Sequence, residues 1–336
     1  MRTRIATDIR IGQDGRQEGF LSLPISTNQS AYGRIQIPII SIENGAGPRA
    51  LLVAGNHGDE YEGQIALLKL ARELRSEDIR GRVTILSGAN FPAVLEGRRN
   101  ASCDDGNLNR SFPGDPNGSP TQMIAHYIEH VLLPEFDLVL DLHSGGSSLV
   151  YVPCVLVRMS PDNGRKRKTF DVMDAFGAPV AYISDGRSGG ADRTLSAAAE
   201  RQAVVCLTTE LGGGGAINRH ALRLAEQGVR RVLHRAGILK EMPQRAASPT
   251  RVLEVHGLDY YVFSPENGLI EPLVELEDTV EAGQAAAIVY FPDTPWREPS
   301  VATFRRGGTV ICKRTQGYAN RGDCLYQIAT DFRDAL

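Results

Sequence analysis

Leu51-Leu52-Val53-Ala54-Gly55-Asn56-His57-Gly58-Asp59-Glu60 sets the reading of everything around it. The apolar run 51–54 has the length and character of a buried strand. Gly55 and Asn56 mark a turn, and Tyr61 to Arg75 reads as a helix in which Ile65, Leu68, Ala71, Leu67 and Leu74 keep a 3.6-residue period. Strand, tight turn and helix in that order are one step of an α/β fold. His57 and Glu60 stand in the turn, where open α/β sheets carry their sites. Seven His among forty Asp and Glu could supply that three-residue spacing by chance, so its meaning depends on what the rest of the chain brings to the same rim.

Moving outward, 35–42 alternates as a strand, with Pro38 suggesting a sheet edge. Residues 1–33 read as a lead-in of short strands and loops. Val83 to Leu86 is a further strand. Residues 90–119 have no period and are rich in Gly, Pro, Asn and Asp, and aperiodic segments of this length inside compact domains usually carry function. Thr121 to Leu133 returns to helix. Residues 136–142 are nearly continuously apolar, as a central parallel strand requires. Strand and helix candidates then alternate at 150–155, 165–176, 180–183, 192–202, 203–209 and 218–236. The expected fold is a mixed, mostly parallel sheet with helices on both faces. A break at 243–249 ends it, and short runs at 252–256, 259–263, 268–274, 285–291, 309–313 and 324–329 predict a small all-β domain. The expected division is 1–243 and 250–336.

Composition narrows the function. The net charge of -3 gives no electrostatic reason to expect nucleic acid or an anionic membrane as partner. No apolar run is long enough to span a bilayer, and Met1 to Ile5 lacks a secretory apolar region. Cys103, Cys154, Cys206, Cys312 and Cys324 are odd in number and scattered, without a Cys-x-x-Cys pair. Such free thiols predict a cytoplasmic protein. No Gly-x-Gly-x-x-Gly follows a strand, which argues against a dinucleotide-binding oxidoreductase.

His143 closes the strand 136–142, so His57, Glu60 and His143 converge if strands 50–54 and 137–142 are parallel neighbours. Two His and one Glu leave a coordination position open, the catalytic form of zinc binding. Asp141, two residues before His143, is placed to orient it. Glu210 ends the strand 203–209 at the same rim and suits a general base and acid. The glycines 212–215 let backbone come close to a ligand. Asn107-Leu108-Asn109-Arg110 lies in the aperiodic segment, with Arg98 and Arg99 upstream, and Arg grips a carboxylate in a bidentate way. His126 and His130 are expected on a solvent face, 165–168 on a solvated helix face, and His220, His234 and His256 have no partner at ligand spacing.

The motifs GNHGDEYEG at 55–63, NLNRSFPG at 107–114, DLHSGG at 141–146 and TTELGGGG at 208–215 together resemble the succinylglutamate desuccinylase/aspartoacylase family, itself similar to the zinc carboxypeptidases. The resemblance covers about 35–330. It implies one Zn²⁺ per chain on His57, Glu60 and His143, with Glu210 as general base. It implies that Asn109 and Arg110 hold the substrate's carboxylate and that an upstream arginine polarises the scissile carbonyl. The stretch from Arg98 to Gly106 is longer than in aspartoacylase, and Arg99 is chosen over Arg98. Within the family the chain looks most like the deacetylases of ectoine breakdown, which act on Nα-acetyl-diaminobutyrate. The implied partner is a small N-acyl amino acid. Its cationic amine would need an acid, with Asp104, Asp105 and Asp115 as candidates. The C-terminal β run looks like a biotinyl/lipoyl-type sandwich without the Met-Lys-Met turn of a swinging arm, so it is expected to shield the site. A peptide-cutting metallocarboxypeptidase and a non-catalytic binding protein are the rival readings. Oligomeric state stays open, a homo-oligomer included.

Overall fold

The computed structural model describes residues 3–184, 190–241 and 249–333. The first ten strands are β1 (Ala6–Thr7), β2 (Gly15–Thr27), β3 (Ser30–Asn44), β4 (Arg49–Ala54), β5 (Gly81–Leu86), β6 (Leu138–His143), β7 (Leu149–Tyr151), β8 (Cys154–Arg158), β9 (Val180–Ser184) and β10 (Val205–Glu210). The α-helices are α1 (Tyr61–Glu73), α2 (Phe91–Glu96), α3 (Pro120–Tyr127), α4 (Asn163–Phe176), α5 (Leu195–Arg201) and α6 (Arg219–Arg235). The main sheet runs β1-β2-β3-β5-β4-β6-β10-β8-β9 and continues beyond. Strands β5, β4, β6 and β10 are mutually parallel. β8 runs against β10. Mixed and mostly parallel, this is the expected sheet.

Alternation along the central strands builds two cores. Leu52 and Leu140 face one layer, with Leu67 of α1 and Val232 of α6. Leu51, Val53 and Val139 face the other, with Ile124 of α3 and Ala198 of α5. All the strand side chains named here are fully buried. Each contributes about 1.5–3 kcal/mol of burial free energy, an upper range because unfolded chains already bury some apolar surface. A near-continuous apolar run is therefore what a strand covered on both faces demands.

The N-terminal region differs from the expectation. In place of short lead-in strands it forms one long hairpin, with β2 and β3 paired from Gly15↔Glu43 to Thr27↔Ser30. Pro38 is not in an edge strand, because β3 also pairs with β5. That second ladder spans only Ile40 to Asn44, so Pro38 lies beyond it, where β3 has no partner on that side. The helix expected over 121–133 is α only to Tyr127, and then passes through a π-helical turn, Ile128–Leu132, and a 3₁₀ turn, Leu133–Glu135.

Past the break, Pro243 to Ser248 fall outside the described residues. The C-terminal strands are β11 (Arg251–Val255), β12 (Tyr261–Phe263), β13 (Gly268–Pro272), β14 (Thr279–Val280), β15 (Ala285–Tyr290), β16 (Ser300–Thr303), β17 (Gly308–Arg314), β18 (Tyr318–Ala319) and β19 (Cys324–Asp331). β16, β15, β13 and β18 form a separate antiparallel sheet. The others continue the main sheet: β11 pairs parallel with β9, and β17 pairs with β7. This hydrogen bonding fixes the C-terminal β region against the rim where β6 and β10 end. Among the described residues, no helix is long and apolar enough to cross a membrane.

Candidate active site

Strand register assembles the site. β4 pairs with β6, with Ala54 opposite Leu142, and β10 pairs with β6 on its other side, with Glu210 opposite His143. The turn after β4 therefore opens directly over His143. Gly63 sets how close α1 comes: a Cβ there would lie 2.6 Å from Leu142 Cβ. Only glycine lets the helix sit low enough for Glu60 to reach across to β6.

His57 Nδ1 lies 2.6 Å from Glu60 Oε1, and His143 Nδ1 lies 2.7 Å from Glu60 Oε2. The ligand atoms of these three buried residues all fall within 4.8 Å of one another. The far sides of both rings are held. His57 Nε2 faces Asn107 Oδ1 at 3.0 Å, and His143 Nε2 faces Asp141 Oδ1 at 3.1 Å. Both partner oxygens only accept, so each ring can hold a proton on Nε2, which leaves Nδ1 as the nitrogen it turns toward Glu60. Two ring nitrogens and a carboxylate aimed at one point share a cation, either a proton or a metal ion. Two imidazole nitrogens and a carboxylate oxygen are a donor set that suits zinc, and outer acceptors of this kind fix the rings for it. Burial pulls His143 down, but Asp141 and Glu60 carry it well above the ordinary histidine range. Burial raises Glu60, yet its two histidines hold it far below the ordinary carboxylate range.

Glu210 opens on a cavity of about 370 Å³, shared with His143, Arg110, Asp141, Tyr151 and Tyr261. Its Oε2 has no hydrogen-bond partner. Loss of hydration at this depth, followed by the charge of Glu60, pushes its carboxyl up to about 8. A nearby bound cation would draw that value down. Arg99 Nη1 lies 3.6 Å from Glu60 Oε1. Arg98 turns away, pairing with Glu96 at 3.6 Å and giving its carbonyl to Gly58 N at 2.8 Å. Asn109 Nδ2 lies 3.2 Å from His143 Nε2, and Asn109 Oδ1 accepts from Leu195 N at 2.8 Å. Arg110 Nη1 donates to the Asn109 carbonyl at 2.7 Å, and Arg110 lines the cavity.

His57, Glu60, His143, Glu210, Arg99, Asn109 and Arg110 thus meet at one rim. Other readings change. The glycines 212–215 all have positive φ, and Gly213, at φ +128°, would place a Cβ 2.3 Å from the Leu149 carbonyl. What comes close to them is the loop after His143: Gly145 N donates to Gly212 O at 3.0 Å and Gly215 N to Gly146 O at 2.8 Å. The run therefore locks the loops following β6 and β10 together. His126 is buried and its ring lies 4.8 Å from that of His130, because α3 turns this side against the aperiodic segment at Gly114. Asp104, Asp105 and Asp115 do not line the cavity. Asp104 instead accepts from Thr121 N at 2.7 Å and Gly106 N at 3.0 Å and so ties the aperiodic segment to α3.

Sequence reasoning missed Asn56, which donates to Asp141 Oδ1 at 2.6 Å, and the role of Asn107. Both amides stand in the quoted motifs, Asn56 next to His57 and Asn107 two residues before Asn109, which was the available signal. It also missed the aromatic wall of Tyr151, Tyr182, Tyr261 and Phe263. The last two come from β12, so the C-terminal β region covers the site.

The model of the succinylglutamate desuccinylase/aspartoacylase catalytic domain matches residues 46–236. The N-alpha-acetyl-L-2,4-diaminobutyric acid deacetylase of Halomonas elongata is 41% identical over 325 residues, 97% of this chain and 94% of that one. The product-bound structure of the ectoine utilization protein EutE (DoeB) from Ruegeria pomeroyi matches with a TM-score of 0.93 and 39% identity, covering 98% of this chain and 99% of that one. A succinylglutamate desuccinylase/aspartoacylase from Rhodobacter sphaeroides matches with a TM-score of 0.92 and 37% identity, covering 98% and 100%.

Proposed function

The chain belongs to the succinylglutamate desuccinylase/aspartoacylase family, and from that premise we propose that it is a zinc-dependent amidohydrolase that removes acetate from Nα-acetyl-L-2,4-diaminobutyrate during ectoine breakdown in the cytoplasm. The observation that carries this reading is the register of Glu210 against His143, which sets a carboxyl able to exchange a proton beside a His57–Glu60–His143 cluster, with Arg110 in the same cavity.

His57, Glu60 and His143 would hold the metal. When bound, Zn²⁺ supplies a Lewis acid and brings the pKa of water to about 7. Glu210 accepts a proton from the attacking water and later returns it to the leaving amine. Arg99 faces the cluster and offsets negative charge as it grows on the acetyl oxygen. Arg110 grips the substrate's α-carboxylate, and Asn109, itself fixed by Leu195 N, aligns it. The aromatic wall from β12 limits water and length, which favours a free amino acid derivative over a peptide.

Arg110→Gln is expected to raise KM by about 10–100-fold, the usual worth of a charge-assisted contact, with a smaller change in kcat. Steady-state kinetics read the split, and an unchanged KM would remove Arg110 from the carboxylate site. The reading as a whole is tested by acyl release from Nα-acetyl-diaminobutyrate, Nγ-acetyl-diaminobutyrate, N-acetylaspartate and N-succinylglutamate with zinc present. The first should have the highest kcat/KM. Preference for either of the last two overturns the substrate, and turnover of none overturns the hydrolase.

A further inference from the structure

We infer that Asp141 has a second role as the specificity residue that accepts the substrate's side-chain ammonium on its free oxygen, Oδ2. This rests on the substrate reading above and deepens it.

Asp141 is 1% exposed and its carboxylate is divided in two. Oδ1 faces His143 Nε2 at 3.1 Å and accepts from Asn56 Nδ2 at 2.6 Å. Oδ2 is buried with no hydrogen-bond partner. An orphaned buried carboxylate oxygen is costly, and natural proteins keep such a group where a ligand or ion satisfies it. Asp141 also belongs to the wall of the substrate cavity.

Strand geometry says which part of the cavity this is. Asp141 precedes His143 by two residues on β6, and its register partner Thr208 precedes Glu210 by two on β10. Side chains two apart share a face, so Asp141 and Thr208 form a floor about 6–7 Å below the reacting rim. That depth suits a two-carbon side chain plus one hydrogen bond. Beyond Thr208 the same row continues through Leu156 and Tyr182, and Thr194 and Ser196 add hydroxyls to the cavity wall. Arg110 above takes the carboxylate. A substrate held there by its carboxylate, with its amide at Glu210, points its side chain at Asp141.

Chemistry leaves few other acceptors. Asp141 and Glu210 are the only acids among the described residues lining the cavity, and Glu210 is committed to proton transfer. A neutral floor would desolvate an ammonium without return.

The test compares Nα-acetyl-L-2,4-diaminobutyrate with Nα-acetyl-L-norvaline, in which a methyl replaces the ammonium, on the zinc-loaded full chain. Wild type should favour the cationic substrate in kcat/KM by about 10-fold or more. Asp141→Asn should lower that preference by about 10–100-fold. If Asp141 does no more than orient His143, both substrates fall together and the ratio survives, which overturns the inference. Should Asp141→Asn fail to fold, a crystal structure of the wild-type chain with L-2,4-diaminobutyrate decides: the side-chain ammonium should lie about 3 Å from Oδ2, and an ammonium held by another acceptor overturns the inference equally. A wild type that hydrolyses both substrates without preference also overturns it while leaving the deacetylase reading intact. A wild type that turns over neither, but does turn over another N-acyl amino acid, brings down the substrate reading first.

Discussion

Glu210→Gln is expected to keep its metal and lose about 10²–10⁴-fold in kcat. Glu210 is not one of the three clustered ligands, so replacing its carboxyl leaves the donor set of His57, Glu60 and His143 whole. The amide fills the same space and keeps polar contact with the cavity, but it cannot take and return a proton. The loss should therefore fall on kcat, with KM little changed. Metal analysis and kinetics on one preparation check both halves. Near-normal turnover would remove Glu210 as the base, and loss of metal would make it a ligand.

His143→Ala has the other large expected effect, and it differs in kind. Removing an outer partner of a ligating histidine typically costs about 10–100-fold in metal affinity, and removing the ligand itself must cost more. Two further consequences follow from the contacts of this ring. Glu60 Oε2 loses the ring nitrogen 2.7 Å away, and the Asn109 side chain loses its contact at 3.2 Å. The purified variant should contain far less than one metal per chain and show no measurable turnover, while its far-ultraviolet circular dichroism stays unchanged, because β6 keeps its ladders to β4 and β10. Full metal occupancy in His143→Ala would refute the ligand set.

Much of this site was legible because local sequence and strand periodicity carry it. A buried run before His57, another ending at His143 and a third ending at Glu210 are enough to place three side chains at strand ends. What remained conditional was adjacency, which sequence separation conceals: β4 (Arg49–Ala54) and β10 (Val205–Glu210) are far apart in the chain, yet both flank β6. The loop Arg98 to Arg110 also declared itself through Arg and Asn types, though only its path separates Arg99, facing Glu60, from Arg98, facing Glu96. Pro38 misled because a proline excludes a ladder only on the side its ring faces, and β5 ends before reaching it. His126 misled because the helical period says which residues share a face but not what a distant loop lays over that face. Asp141 was read as an orienting partner for His143. Its second oxygen could not be read at all, since an unsatisfied atom appears only once every neighbour is in place.

The central claim is that one zinc ion on His57, Glu60 and His143 makes this chain a deacetylase. Its most direct test is a titration of metal-stripped protein with Zn²⁺, followed by acetate release from Nα-acetyl-L-2,4-diaminobutyrate. Activity should start at background, rise linearly and level off at one zinc per chain. Full activity in the stripped protein, or a zinc-saturated protein that releases no acetate, would contradict it.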